Sequence, residues 1–328
     1  MPYTVLTDDD VRRVLPMSAA VDQIESALRE HAEGTMVAPP RFQVDVANGA
    51  LICTAGAVTH YDRAVGVRVY DRFQESDASH GQVVVVFDSD TGDFKGVIVG
   101  SHLGAMRTGA IGGVAIKHLA RPDASRAAVL GSGRQARTLL EAAAVVRHFA
   151  SVKVYSPNAT NREAFAREMR EALDLHVAPV ASAHEAVADA DVVMCATMST
   201  APVFDPRWLK PGAHVNTVGP RAQGASELDA SIAASVRGVA TDSLRQLRSY
   251  AAPYVLADTP WMEAMVELGD MVVGKHTGRP SPEDMTLFCT AGLSGTEVAV
   301  ASEALRRAGH MEVLCKGDHD ASDDDPHR

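Results

Sequence analysis

The spacing of apolar residues changes three times along this chain. Val11, Val14 and Leu15, and then Val21, Ile24 and Leu28, recur at the three-to-four-residue interval of helices. Thr7 followed by Asp10 is a capping-box signature for the first of these; the second follows Ser18 and stops at Gly34. Between Arg41 and Val99 the interval shortens to two. Phe42/Val44/Val46, residues 51–53, Val65/Val67/Val69 and residues 83–87 read as strands of an antiparallel sheet, with turns at Asn48-Gly49 and Asp90-Thr91-Gly92. Helical spacing returns over 103–119, where Gly109, Gly112 and Gly113 predict that another element packs closely.

Arg121-Pro122-Asp123 breaks the pattern and marks a domain boundary. Beyond it, strands at 127–130, 152–155, 177–180, 192–196 and 214–218 alternate with helices at 135–149, 161–173 and 183–188. Such alternation predicts a parallel sheet with helices on both faces, an α/β fold of the Rossmann type, doubly wound. It ends near Thr286-Leu287-Phe288, and a final amphipathic helix follows over 296–308. A length of 328 residues fits two domains, taking about 150 residues for each.

Composition removes several function classes. With 46% hydrophobic and 22% charged residues and no long apolar run, no membrane span is expected. The start of the chain lacks the basic and apolar regions of a secretory signal, so the expected compartment is the cytoplasm. Cys53, Cys195, Cys289 and Cys315 lie far apart without a CxxC pair, which predicts reduced thiols and neither a zinc site nor disulfides. A net charge of -11 argues against a nucleic-acid partner or an anionic membrane surface. Part of that charge sits at 317–328, where five aspartates and almost nothing apolar predict a disordered acidic tail.

The strongest chemical signal is Ala127-Ala128-Val129-Leu130-Gly131-Ser132-Gly133-Arg134-Gln135-Ala136, an apolar strand, a GxGxxA turn and the start of a helix. Gly131 allows the tight turn, Gly133 lets the backbone approach a diphosphate, and Ala136 lets helix and strand pack closely. Ser132, Arg134 and Gln135 border the same helix N-terminus, which favours phosphate. A nicotinamide dinucleotide is therefore the expected cofactor. An NAD site usually places a carboxylate at the end of the next strand, but here that end reads Tyr155-Ser156-Pro157-Asn158. With Ser156, Asn158 and then Thr160, Asn161 and Arg162, the donors suit a 2′-phosphate, so NADP is preferred over NAD.

Phe87 to Gly92, Leu103 to Ala110, Gly131 to Ala136, Ala196-Thr197, Val218-Gly219 and Thr286-Leu287-Phe288 run in the order in which they occur in the ornithine cyclodeaminase/μ-crystallin family, which this chain resembles. The resemblance implies a dinucleotide domain (121–291), a second α+β domain for substrate and dimerisation (1–120 with 292–316), and a homodimer. It places Arg41 and Arg107 on the carboxylate of a small substrate, which suits guanidinium forks, and Thr108, Thr197 and Val218 beside the cofactor.

Two departures bear on the reaction. Where the family usually has a lysine, this chain has Arg68, which cannot shuttle a proton near neutrality but can hold an anion or polarise a carbonyl. Strand alternation puts Tyr70 on the face of Arg68 and makes it the candidate proton donor, with water, Asp71 or His80 as substitutes. Arg221 stands where cyclodeaminases carry an aspartate for a side-chain amine, and it would repel an ammonium group. Glu297, where many relatives carry aspartate, carries no functional expectation. The resulting expectation is an NAD(P)H-dependent imine or ketimine reductase, or the reverse amino-acid dehydrogenase. The alternatives are a non-catalytic NADPH-dependent ligand-binding protein and a redox-neutral cyclodeaminase.

Overall fold

A computed structural model of the chain describes residues 4–73 and 81–320, the side chains of 311–320 excepted. The first sheet contains β1 (Val5–Leu6), β2 (Phe42–Val46), β3 (Gly49–Val58), β4 (Ala64–Phe73), β5 (Gln82–Asp88) and β6 (Phe94–Val99), in the order β1-β6-β5-β4-β3-β2. Its pairs are antiparallel except β1 with β6, which run parallel. β1 is two residues long, too short for any period to reveal it.

Three helices accompany this sheet. α1 (Asp8–Val14) opens on the predicted capping box, with Asp10 N donating to Thr7 Oγ1 at 3.3 Å and Thr7 N to Asp10 Oδ2 at 3.0 Å. α2 (Met17–Glu33) closes on Gly34 at φ 78°, a left-handed conformation that favours glycine. α3 (His102–Leu119) is buried along nearly its whole length.

The second half contains β7 (Arg126–Leu130), α4 (Arg134–Val146), β8 (Ser151–Tyr155), α5 (Ala159–Leu173), β9 (Val177–Pro179), α6 (Ala183–Val187), β10 (Val192–Cys195) and β11 (His214–Thr217). A two-stranded hairpin, β12 (Arg221–Ala222) and β13 (Ala225–Ser226), precedes β14 (Val236–Thr241), α7 (Leu244–Arg248), α8 (Trp261–Ala264), β15 (Val266–Glu267), α9 (Leu268–Val272) and β16 (Met285–Cys289). The main strands form a parallel sheet in the order β15-β14-β16-β11-β10-β7-β8-β9, so the chain reverses direction across the sheet between β7 and β10. This is the doubly wound Rossmann arrangement, whose switch point is where ligands bind. β14 escaped the sequence reading because Arg237 and Gly238 interrupt its apolar run, and its register shifts at that point.

The glycines of α3 meet α4 as expected. A Cβ on Gly113 would lie 2.9 Å from the Ala142 Cβ, and one on Gly109 would strike the Thr138 carbonyl. α10 (Thr296–Asp320) returns to the first sheet, burying Val298, Ala301 and Leu305 with Val84, Val86 and Ile98. It runs twelve residues beyond the expected end at 308, since each added residue costs little once a helix is nucleated. Residues 317–320 are therefore helical and not part of a disordered tail; 321–328 lie outside the described residues. Cys53, Cys195 and Cys289 are free, and no helix among the described residues is long and apolar enough to cross a membrane.

Candidate active site

At the switch point, Gly131 adopts φ 111°, and a Cβ there would strike the Ala196 carbonyl just after β10. Gly133 caps α4 with no side chain filling the cap, and nothing lies within 4 Å of where its Cβ would be. Open space in front of uncapped helix amides is the cradle that a diphosphate needs, so the local geometry fits a dinucleotide. Ser132 Oγ donates to Ser156 Oγ at 3.0 Å, joining the turn to the end of β8. Asn158 caps α5 by accepting from Asn161 N, and Arg162 Nη1 donates to the Ser156 carbonyl at 3.1 Å, which sets its guanidinium against the β8 tip.

Of the other predicted cofactor residues, all but Gln135 are already committed to protein partners. Arg134 Nη1 donates to Ser101 Oγ at 2.5 Å, and the Thr108 hydroxyl donates to the Gly104 carbonyl. Gln135 keeps a buried Oε1 without a partner. The amides of Thr197 and Val218 both donate to Glu227, so these residues form a wall at the switch point and have no free N–H to offer.

Arg41, Arg68, Tyr70 and Arg107 come together between β4, α3 and the turn after β16. Arg41 Nη1 donates to the Tyr70 hydroxyl at 3.2 Å, and its Nη2 to the Ala291 carbonyl at 2.9 Å. The Arg68 guanidinium lies 4.3 Å from the centroid of the Tyr70 ring and donates to Gln82 Oε1 at 2.6 Å. Asp71 sits on the opposite face of β4, as alternation requires, and His80 lies outside the described residues. Arg107 is buried, and its Nε and Nη1 have no protein partner. Arg41 Nη2 and Arg107 Nη1 are both near the position a Cβ on Gly292 would take.

Glu297 organises this cluster. Its Oε1 lies 3.4 Å from Arg68 Nη1 and 3.6 Å from Arg107 Nη2, and accepts from Thr54 Oγ1 at 2.8 Å. Burial pushes its carboxyl up, but Arg107 and Arg68 outweigh that and hold it at about 2. Burial and the neighbouring Arg107 charge both lower Arg68. A buried donor without a partner is costly, so the spare N–H groups of Arg107 beside Arg41 form a ready site for an anion.

Three other buried carboxylate or amide groups shape the site and gave no signal in the sequence. Asp242, at the end of β14, accepts from the amides of Ala291, Gly292 and Leu293 at 2.5, 2.8 and 2.7 Å and fixes the turn that holds Arg41. Gln246 accepts from Arg41 N at 2.8 Å. Glu227 accepts from Thr197 N, Thr197 Oγ1, Val218 N and Gly219 N, joining the ends of β10 and β11. Burial raises its carboxyl against these hydrogen bonds. All three are isolated polar residues whose partners are mainly backbone groups outside their own element.

This architecture has well-defined relatives. The Delta(1)-pyrroline-2-carboxylate reductase of Bacillus cereus (strain ZK / E33L) is 29% identical over 315 residues, covering 93% of this chain and 96% of its own. The solved Thermococcus litoralis Delta(1)-pyrroline-2-carboxylate reductase, in complex with NADH and L-proline, superposes with a TM-score of 0.85 at 29% identity, covering 94% of this chain and 98% of that one. An archaeal alanine dehydrogenase dimer with bound NAD gives a TM-score of 0.85 at 26% identity, covering 95% of this chain and 98% of that one. The model of the ornithine cyclodeaminase/mu-crystallin family matches residues 2–308, and the chain belongs to that family.

Proposed function

We propose that this chain is an NAD(P)H-dependent oxidoreductase of the C–N bond of a small imino or amino acid, acting as an imine reductase with NADP(H) preferred, in a cytoplasmic homodimer. The observation that carries this reading is the buried Arg107, with two N–H groups lacking protein partners, facing Arg41 across Gly292. Arg41 and Arg107 hold the substrate carboxylate, and Glu297 keeps Arg68 and Arg107 in place without reaching past them. The nicotinamide, when bound, supplies a hydride to the imine carbon. The nitrogen takes one proton, and the products are the amino acid and the oxidised dinucleotide. Tyr70 is the proton donor: its oxygen accepts from Arg41, which leaves its own proton free to be given away.

The NADP preference rests on Arg162 at the β8 tip, where Tyr155 to Asn158 offer no carboxylate. The homodimer rests on the outer face of the first sheet, where Val44, Leu51, Val65, Phe87 and Val99 form an exposed apolar layer across five strands. Free Cys53, Cys195 and Cys289 accord with a reducing compartment.

The test is oxidation of NADPH by the purified chain in the presence of Δ1-pyrroline-2-carboxylate and of imines formed from 2-oxo acids and ammonia. Turnover with at least one is expected. Tight NADPH binding without any turnover would favour the ligand-binding reading, and proline formation from ornithine without added cofactor would favour cyclodeamination.

A further inference from the structure

The geometry points to Arg221 as the residue that selects a substrate with a second anionic group, so that the preferred imino acid is a short-chain dicarboxylate. This rests on the reading of the site as an imino-acid reductase and names its substrate class.

Three observations meet at Arg221. First, its Nη1 donates to the Thr290 carbonyl, while Arg41 Nη2 donates to the next carbonyl, Ala291. Successive residues of a chain rise by at most about 3.5 Å, so the two guanidinium groups stand at neighbouring positions on one turn. Second, Tyr250 sits between them. Its ring centroid is 5.4 Å from the Arg41 guanidinium carbon and 5.5 Å from that of Arg221, and its hydroxyl donates to the Ala291 carbonyl at 2.7 Å.

Third, no carboxylate among the described residues pairs with Arg221, although Arg68 and Arg107 share Glu297. Arg221 is half-buried and lines a pocket of about 410 Å³ whose walls include Leu247, Tyr250 and Ala252, with Arg72 and Gln43 also on the lining. A half-buried guanidinium with spare donors, facing a largely apolar pocket, favours a ligand that brings an anion at the end of a short carbon chain. With the α-carboxylate on Arg41 and Arg107, a second carboxylate one turn position away falls to Arg221. The same cation disfavours a substrate carrying a side-chain ammonium group.

Imines form reversibly when oxaloacetate, 2-oxoglutarate or pyruvate is mixed with ammonia, so each can be offered to the purified full chain with NADPH. A kcat/KM for one of the dicarboxylic imines at least about tenfold above that for the pyruvate imine is expected, as for a charge-assisted hydrogen bond. Arg221→Gln should lower that ratio by roughly tenfold or more, and Arg221→Lys should recover part of it. A wild-type preference for the pyruvate imine, or a ratio that Arg221→Gln leaves unmoved, overturns the assignment. Calorimetric binding of oxaloacetate and of pyruvate to the protein with NADP+ gives the same ratio without turnover. Dicarboxylate binding that depends on Arg221 in a protein that reduces none of these imines would sink the reductase reading and leave this one standing. Turnover confined to monocarboxylic imines would do the reverse.

Discussion

Glu297 and Arg68 form a buried ion pair, with Oε1 3.4 Å from Nη1, in which the same carboxylate oxygen also faces Arg107 at 3.6 Å. Glu297 therefore keeps two like charges close together inside the protein. Glu297→Gln removes the anion between them and should destabilise the fold by about 3–5 kcal/mol, the usual cost of stranding a buried charge. Urea denaturation at neutral pH measures it, and a loss under about 1 kcal/mol would mean that the arginines find other partners.

The same pair has a pH signature. Burial raises the Glu297 carboxyl, but Arg107 and Arg68 bring it down to about 2, below its ordinary 4.5. A folded-state value below the unfolded one stabilises at pH above the unfolded value, and that stabilisation is lost as pH falls through about 4.5 towards 2. The stability difference between wild type and Glu297→Gln should be flat from neutrality to about pH 5 and shrink below it. A constant difference down to pH 3 would contradict this.

Tyr70→Phe removes the hydroxyl that Arg41 contacts and keeps the ring under Arg68. With an imine that the wild type reduces, kcat should fall by roughly 10²–10⁴ while dinucleotide affinity holds. Unchanged turnover would transfer the proton step to water.

Arg162→Ala takes away an arginine held against the end of β8 by its hydrogen bond to the Ser156 carbonyl. NADPH affinity should drop by roughly 10–100-fold and NADH affinity by much less, which fluorescence titration resolves. Equal losses for both nucleotides would end the case for a 2′-phosphate site.

Val65 lies on β4, near the middle of the exposed apolar face. The homodimer proposed on this face predicts that Val65→Asp shifts the protein from dimer to monomer in sedimentation at micromolar concentration, since a buried unpaired charge costs several kcal/mol at an interface. Persistence of the dimer would locate the interface elsewhere.

The parts legible in the sequence are those written in local pattern. The Thr7–Asp10 cap, the Gly131-Ser132-Gly133 turn and the small-residue stripe of α3 each act over a few residues and appear in the structure where their spacing puts them. Alternation along β4 likewise brought Tyr70 beside Arg68. Asp242, Glu227 and Gln246 could not be read, because each works on backbone groups brought near only by the finished fold, and a single buried acid has no period. Glu297 was visible as a residue and silent as to role, since nothing local announces two arginines from a different strand and a different helix.

α10 has a consequence for how the protein is made. The helix that covers the inner side of the first sheet is synthesised roughly 180 residues after α3, a delay of about 10–35 s at ordinary elongation rates. Until Val298, Ala301 and Leu305 leave the ribosome, Val84, Val86 and Ile98 lack part of their native cover. The nascent chain thus carries a valine-rich sheet whose inner side is incompletely covered throughout the synthesis of the nucleotide-binding half, which makes that interval the natural point for chaperone engagement.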